Sequence, residues 1–363
     1  MRHSFARWAI RIIAVVVLLV VAALGYRALR QHQVAEALAI RTPAGIEEAS
    51  FVRIGGIDQW VEIRGEDRGN PVLLVLHGGP GASETPLFSL FRSWEKQFTV
   101  VMWDQRGAGK TFAHNGLDQL NGVTNARMAE DGIELTNYLR KHLHKDKVIL
   151  LGHSWGTMMG LMMVKAHPEL FSAYVGTGQV NQIDEKEKYL YADTMKRLEA
   201  AHDKTGIAKL KSVGPPPYKS DRDLEVQRAL SEKYDIPAER DLRANLTTTV
   251  LFAPGWSLYD IYEFLEAPKY TGPALYDEHL SYDAAKVGTK IDVPFFVVNG
   301  ADDAVTPTPL AREYFDRVES PHQEFVVLKN AGHSAILTEP DIFLRELVSR
   351  VRPYATKTET PHG

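Results

Sequence analysis

A chain of 363 residues with 44% hydrophobic and 24% charged residues has the composition of a globular protein, and it can hold one large core with an insertion or two domains. Its formal net charge of −4 provides no broad basic field, so nucleic acid is not suggested as a partner. The absence of cysteine excludes disulfides, thiolate metal sites and a cysteine nucleophile, and no cluster of His, Asp and Glu has metal-ligand spacing, so we expect neither a metal nor another cofactor.

The amino terminus contains an unbroken apolar run at residues 12–26, with arginines at positions 2, 7 and 11 on its amino side. Counted from Trp8, the run approaches the ~20 residues that span a bilayer. Positive charge on the amino side favours that end in the cytoplasm and the bulk of the chain outside. We expect residues 1–30 to be a signal-anchor in a membrane, with the catalytic domain on the extracytoplasmic side. A cleaved signal peptide, which would leave a secreted or periplasmic protein, is the alternative.

The first part of the core is expected at residues 50–178, after a connector over residues 31–49. Alternating apolar and polar residues on both sides of a Gly-Gly pair at residues 55–56 predict an antiparallel hairpin at the edge of a sheet. The apolar run at residues 71–76 predicts a buried parallel strand, and it ends in His-Gly-Gly-Pro-Gly at residues 77–81. A glycine-rich turn at the end of such a strand can aim a backbone N–H at an oxyanion.

A second apolar strand, at residues 148–151, ends in Gly-His-Ser-Trp-Gly at residues 152–156, and a helix begins near Trp155. This G-x-S-x-G pattern places Ser154 on a sharp turn between strand and helix, with its hydroxyl exposed above the end of the sheet. Glycine is needed at both ends because the two backbones approach too closely for a Cβ atom. We therefore expect Ser154 to be a nucleophile and the N–H of Trp155 to be an oxyanion donor.

Two further polar side chains follow strands later in the chain, in the order that a Ser-Asp-His triad requires. The apolar run at residues 293–298 predicts a strand, and it is followed by Asp302 and Asp303, either of which could orient an imidazole. We favour Asp303, because it leaves one turn between the strand end and the carboxylate. His333 follows another predicted strand and precedes a helix, so we expect it to take the proton of the nucleophile.

The segment between these two parts, residues 179–290, is mainly helical in pattern, charged and interrupted by prolines. We interpret it as a helical cap inserted over the carboxyl ends of the strands, followed by the second part of the core at residues 291–356 and a tail at residues 357–363. A cap in this place excludes water from a site. Its aromatic residues could equally form its own core, and its acidic residues a solvated face. The candidate substrate-binding residues in the cap are Glu185, Glu187, Trp256 and Tyr259.

Three motifs together resemble one family: His-Gly-Gly-Pro-Gly at residues 77–81, Trp-Asp-Gln-Arg-Gly-Ala-Gly at residues 103–109 and Gly-His-Ser-Trp-Gly at residues 152–156. They are similar to the α/β-hydrolase fold, an α/β fold whose mostly parallel sheet has helices on both faces, and specifically to its proline iminopeptidase branch. The resemblance implies release of an amino-terminal residue, often proline, from peptides, with cap glutamates holding the free α-amine. It also implies a catalytic set that consists of Ser154, Asp303, His333 and the backbone N–H groups of Gly79 and Trp155.

The residues therefore predict a serine hydrolase that cleaves a small amide through an acyl-enzyme, with a small molecule or short peptide as its partner. An esterase or amidase for small or acyl-chain substrates is the alternative. Iminopeptidases of this family usually have glycine where this chain has His153, and histidine is common there in esterases of the fold. A non-catalytic binding protein on a hydrolase scaffold is the alternative from another class, since a fold does not determine a function.

Overall fold

The computed structural model describes residues 2–356, and the expected tail at residues 357–363 lies outside them. Within the described range, eight strands form one sheet: β1 (Ile46–Ile54), β2 (Ile57–Gly65), β3 (Val72–Leu76), β4 (Thr99–Trp103), β5 (Val148–His153), β6 (Phe171–Thr177), β7 (Phe295–Gly300) and β8 (Gln323–Leu328). The first of these strands begins shortly before residue 50, the expected start of the core.

The strands lie in the order β1-β2-β4-β3-β5-β6-β7-β8. The pairs β1–β2 and β2–β4 are antiparallel, and the remaining pairs are parallel. The predicted hairpin is therefore the antiparallel edge of a mostly parallel sheet. Because β3, β5, β7 and β8 are parallel, the loops that follow them leave the sheet at the same edge, where ligands of such folds bind.

The continuous apolar runs of the central strands fill two cores, one on each face of the sheet. Leu74 of β3 and Leu150 of β5 belong to one core, whereas their neighbours Leu73 and Ile149 belong to the other. Successive side chains of a strand point to opposite faces, so a strand covered on both faces has to be apolar throughout. This pattern is the reason that these strands could be predicted from apolar runs alone.

The described chain also contains fifteen α-helices, and helices outside the cap other than α1 cover the sheet on both faces. Short 3₁₀ helices lie at Thr85–Phe91, Trp94–Lys96, Leu117–Leu120 and Pro168–Leu170, and a π-helical turn lies at Leu347–Val351. The α-helices are α1 (Arg2–Leu38), α2 (Gly109–Asn115), α3 (Asn125–His142), α4 (Trp155–Ala166), α5 (Ile183–Ala200), α6 (Lys204–Val213), α7 (Asp221–Glu232), α8 (Pro237–Leu251), α9 (Leu258–Ala274), α10 (Tyr276–Leu280), α11 (Ala284–Val287), α12 (Thr308–Phe315), α13 (Ala335–Thr338), α14 (Pro340–Glu346) and α15 (Arg352–Thr356).

The amino-terminal apolar run lies in α1, a helix that continues through most of the expected connector. A stretch of this helix has a mean hydropathy of 2.6, and none of it is buried against the rest of the protein. By length and composition, α1 is able to cross a membrane or to act as a signal anchor.

The inserted helical cap consists of α5 to α11, which lie between β6 and β7 in the chain. It has a small core of its own, built around Leu198, Leu210 and Leu230. Helix α9 joins the cap to the sheet domain, because the hydroxyl of Thr271 donates a hydrogen bond of 2.7 Å to the carbonyl of Gly107 in the loop after β4.

Candidate active site

The turn between β5 and α4 holds Ser154 in a backbone conformation that only glycine adopts without strain, with φ of 53°. The glycines beside it have no room for a side chain. A Cβ atom on Gly156 would lie 2.2 Å from the carbonyl oxygen of Leu76, and one on Gly152 would lie 2.7 Å from that of Gly156. The close approach of strand and helix therefore requires both glycines, and it leaves the serine side chain at the edge of the sheet.

Ser154, His333 and Asp303 meet at this edge in one hydrogen-bonded chain. The Nε2 atom of His333 lies 2.9 Å from Ser154 Oγ, and its Nδ1 atom lies 3.1 Å from each carboxylate oxygen of Asp303. An ionised carboxylate only accepts hydrogen bonds, so Nδ1 carries the proton and Nε2 is free to accept from the serine hydroxyl. This is the geometry that activates a hydroxyl as a nucleophile.

The carboxylate of Asp303 is buried and held from three further directions. Its oxygens accept hydrogen bonds from the N–H groups of Val305 (2.9 Å) and Thr306 (2.7 Å) and from the Thr306 hydroxyl (2.8 Å). Burial alone would raise the pKa of Asp303, but attraction to His333 and these hydrogen bonds outweigh it and lower that pKa. Asp302, the other candidate, is exposed to solvent.

The glycine-rich loop after β3 lies against the serine. A Cβ atom on Gly78 would lie 3.1 Å from Ser154 Cβ, and Gly79 has a φ of 120°. In the part of the chain that the structure describes, the N–H groups of Gly79 and Trp155 find no hydrogen-bond acceptor. Two unpaired N–H groups beside a nucleophile can stabilise the negative oxygen of a tetrahedral intermediate.

His77 fixes the start of this loop. The backbone N–H of Gln105 donates to its Nε2 atom at 3.2 Å, so Nδ1 carries the ring proton and donates to the carbonyl of Gly78 at 2.8 Å. Burial lowers the pKa of His77, which keeps the ring neutral. His77 therefore has a structural role: it connects the glycine loop to the loop after β4.

A buried pair of His153 and Glu84, which no sequence pattern indicates, lies beside the triad. The Nδ1 atom of His153 lies 2.5 Å from a Glu84 carboxylate oxygen, and its Nε2 atom lies 3.3 Å from the carbonyl oxygen of His333. Both partners are acceptors, so the imidazole donates from both nitrogens and is charged. Each residue of the pair is only 6% exposed.

The electrostatics of this pair agree with that geometry. Burial alone would lower the pKa of His153, but the charge of Glu84 and the hydrogen bonds to Glu84 and to the carbonyl of His333 raise it. Burial alone would raise the pKa of Glu84, but the charge of His153 and its hydrogen bond lower it. The other carboxylate oxygen of Glu84 is buried and has no hydrogen-bond partner, so His153 is the principal compensation for this charge.

Two more residues, which no sequence pattern indicates, position the loop that contains His333. The carboxylate of Glu239, which is buried at the start of α8, accepts a hydrogen bond of 2.6 Å from the N–H of Ser334. Gly178 has a φ of 57°, and a Cβ atom there would lie 2.8 Å from Cε1 of His333. The cap and the loop after β6 therefore both hold the imidazole in its place.

In the described part of the chain, the four candidate substrate-binding residues of the cap make no polar or ring contact with the triad; two are exposed and two are buried against other side chains. Glu185 is exposed and pairs with a lysine at 3.1 Å, and Tyr259 is 58% exposed. Glu187 is buried between Lys186 and an arginine of α7. Trp256 is buried, with its ring against a phenylalanine of α9. Within residues 2–356, no hydrogen bond, ion pair or ring contact joins any of the four to the triad, and no group of three His, Asp or Glu side chains is placed to hold a metal ion.

Comparison with known proteins identifies the family. A family model described as the α/β hydrolase fold matches residues 71–340. The protein named probable aminopeptidase YbaC, from Bacillus subtilis, is 28% identical over 305 residues, which cover 82% of this chain and 94% of that protein. A proline iminopeptidase of Clostridioides difficile is 24% identical over 311 residues, covering 82% and 95%. The crystal structure of a proline iminopeptidase-related protein from Thermus thermophilus superposes with a TM-score of 0.59 at 21% identity, covering 84% of this chain and 96% of that one.

The family model spans most of the chain, and the relatives align over nearly their whole length. The structural neighbour has the same fold. The chain therefore belongs to the α/β-hydrolase family and is a hydrolase similar to the proline iminopeptidases, which confirms the resemblance expected from its three motifs.

Proposed function

We propose that this protein is a serine hydrolase that releases the amino-terminal residue of short peptides, proline included, through an acyl-enzyme. One observation carries the hydrolytic part: the distance of 2.9 Å between Ser154 Oγ and His333 Nε2, with Asp303 on the other side of the ring. The substrate part is supported by relatives that are named as an aminopeptidase and a proline iminopeptidase.

In the proposed reaction, His333 Nε2 accepts the Ser154 hydroxyl proton while Oγ forms a bond to the carbonyl carbon of the substrate. Asp303, which stays ionised near neutral pH, stabilises the imidazolium that forms. The N–H groups of Gly79 and Trp155 donate to the oxyanion. His333 then gives the proton to the leaving amine. A water molecule deprotonated by the same nitrogen attacks the acyl group and restores the serine.

A second candidate activity is that of an esterase or amidase that does not require a free α-amine. The specific observation in its favour is the environment of Glu187, whose negative charge is compensated by Lys186 and Arg228. Burial alone would raise the pKa of Glu187, but these two cations lower it. A carboxylate already paired in this way provides no net negative charge for a substrate amine, and Glu185 is at the surface.

The membrane location is also part of the proposal: α1 holds the protein in a bilayer, with the hydrolase domain on the extracytoplasmic side. The arginines before the apolar run support this orientation. The candidate cleavage site, Ala-Leu-Gly at residues 23–25, is a mediocre match to the Ala-x-Ala pattern of cleaved signals, which supports a retained anchor. Because the chain has no native cysteine, a cysteine introduced at the exposed Lys141 tests the orientation. A membrane-impermeant maleimide should label it in intact cells, and labelling only after lysis would contradict the orientation.

The substrate is tested with the purified full-length chain in detergent. Hydrolysis rates are compared for prolyl and alanyl anilides, for the same compounds with blocked amines, and for a short-chain phenyl ester. The proposed aminopeptidase cleaves the free amines and not the blocked ones. Ser154→Ala should abolish every activity, whereas Ser50→Ala, which changes an exposed serine on β1, should leave all of them unchanged.

The outcomes separate the candidates. Equal cleavage of blocked and free anilides, or cleavage of the ester alone, would replace the aminopeptidase with the esterase or amidase. Activity that survives Ser154→Ala would contradict the nucleophile assignment itself.

A further inference from the structure

Helix α1 is bound directly to the cap, without a flexible linker. The Arg27 guanidinium donates hydrogen bonds to the carbonyls of Leu251 (3.1 Å) and Trp256 (2.6 Å). The Gln31 amide donates to the carbonyls of Ala253 (2.7 Å) and Trp256 (2.9 Å). The end of the apolar run and the segment between α8 and α9 are therefore fixed to each other. Any surface near that segment keeps a fixed height relative to a bilayer that α1 crosses.

Helix α9 begins directly after this segment and presents a row of large exposed side chains. They follow one another at intervals of one, three and three residues, which puts them on one side of the helix. The row spans about 10 Å along the helix axis. We call it the α9 stripe; its members and their exposed fractions are Leu258 (51%), Tyr259 (58%), Tyr262 (56%) and Leu265 (58%).

The composition of the α9 stripe fits the boundary between lipid and water. Tyrosine is enriched at that boundary because its ring is apolar and its hydroxyl can remain hydrated. Single exposed apolar side chains are ordinary, but a contiguous row of them marks a surface that another phase or molecule covers. The acidic residues of α9, Asp260, Glu263 and Glu266, outnumber its one lysine, so attraction to anionic headgroups does not explain the surface.

We propose that the α9 stripe is inserted into the interfacial region of the same bilayer that α1 crosses, so that the cap rests on the membrane. This inference depends on the proposed membrane span of α1. Its occupant is the lipid surface, because the stripe begins at the segment to which the end of the apolar run is hydrogen-bonded. The binding energy comes from burial of apolar area, so it is insensitive to salt.

The absence of native cysteine allows a direct test on the full-length chain in phosphatidylcholine vesicles. Three single-cysteine variants carry the same small fluorophore: Tyr262→Cys in the α9 stripe, Leu18→Cys in α1 and Val327→Cys on β8. Val327 is a matched control, since it is 47% exposed but lies on the opposite edge of the sheet from the hairpin that contacts α1. Six strand spacings, about 29 Å, separate β8 from β2.

The fluorophore at position 262 should lose most of its fluorescence when the vesicles contain lipids with a nitroxide near the headgroup, and the one at 327 should not. The fluorophore at 18 should be quenched by nitroxides deep in the acyl chains. Quenching at 262 should persist at about 1 M salt, where the Debye length is only about 3 Å.

Each other result has a defined meaning. No quenching at 18 would refute the membrane span, and with it the present proposal. Quenching at 18 without quenching at 262 would overturn the insertion of the α9 stripe and leave the span intact. If the fluorophore at 262 is protected from a water-soluble quencher but is not quenched by nitroxide lipids, a protein partner covers the α9 stripe. If its quenching by nitroxide lipids is lost in salt, the stripe is held at the membrane by charge. Either result overturns the proposal.

Discussion

Replacing Glu84 with glutamine is expected to destabilise the folded protein by about 3 kcal/mol near pH 6 and to change the pH dependence of its stability. The substitution preserves the shape of the side chain and removes its charge. His153, which donates to Glu84 and to the carbonyl of His333, then has no anion to compensate its own charge. The buried imidazolium must lose a proton or remain unpaired.

The magnitude follows from the burial of the pair. Both residues are only 6% exposed, so solvent provides little screening. Removing one partner of a buried ion pair costs about 3–5 kcal/mol, and the amide oxygen of glutamine still accepts one hydrogen bond, which favours the lower end of that range. With an unfolding entropy of about 2.1 cal/mol/K per residue, about 3 kcal/mol lowers the Tm of a domain of roughly 300 residues by about 5 °C.

The pH dependence has a definite sign. The pKa of His153 is raised in the folded protein, so its contribution is complete below the ordinary value of 6.5 and is lost as the pH rises through the folded value. The pKa of Glu84 is lowered, so its contribution is complete above the ordinary value of 4.5 and is lost as the pH falls through the folded value. The pair therefore stabilises the protein most between these two ordinary values, and the difference from Glu84→Gln should shrink above pH 7.

Urea unfolding of the full-length chain in detergent, followed by tryptophan fluorescence at pH 6 and pH 8.5, measures this difference. The control is Glu169→Gln, because Glu169 and His167 form the same kind of pair at 3.0 Å on the exposed surface. That substitution should not change stability measurably at either pH. Suppose that the free energy of unfolding differs between Glu84→Gln and the parent protein by the same amount at both pH values. That result would show that His153 is uncharged in the folded protein and would refute the reasoning.

Three further substitutions test the catalytic assignment, each measured as kcat on the best substrate found. Asp303→Asn should lower kcat about 10⁴-fold because the imidazole loses its orienting charge, whereas Asp302→Asn, at an exposed neighbour, should not change it; equal effects would contradict the choice of Asp303. Thr306→Val removes one hydrogen bond to the Asp303 carboxylate and should lower kcat about tenfold. An unchanged kcat would mean that the Thr306 hydroxyl does not position that carboxylate. Gly178→Ala should lower kcat about 10²-fold by displacing the imidazole, while Gly56→Ala, which has a positive φ but open space for the methyl group, should affect stability alone. Equal loss of kcat in both glycine variants would contradict that displacement.

The sheet and the order of the triad could be predicted because both depend on short-range patterns. Apolar runs covered on two faces read as strands, and parallel strands leave their following loops at one edge. Ser154 and His333 were therefore brought together by the topology of the strands that precede them. The choice between Asp302 and Asp303 was closer, because both follow β7. It is the turn after the strand that directs one carboxylate inward and leaves the other in solvent.

The partners of the triad could not be predicted, because they come from distant parts of the chain and carry no local pattern. Glu84 meets His153 across 69 positions, and Glu239 meets Ser334 across 95. The same limit explains the cap glutamates. The charge of Glu187 is evident from the sequence. Its contact with Arg228, which is 41 positions away, forms only when the chain folds.

Helix α8 connects the loop that contains His333 to α1, two regions that are far apart in the sequence. Near its start, Glu239 accepts a hydrogen bond from the N–H of Ser334, the residue after His333. At its end, the carbonyl of Leu251 accepts a hydrogen bond from Arg27 of α1. Its fifteen residues form a rod of about 22 Å between the loop that contains His333 and α1. A chain that started after Gln31 would lose the hydrogen bonds that Arg27 and Gln31 donate to the end of α8 and to the segment after it, so kinetic measurements should retain α1.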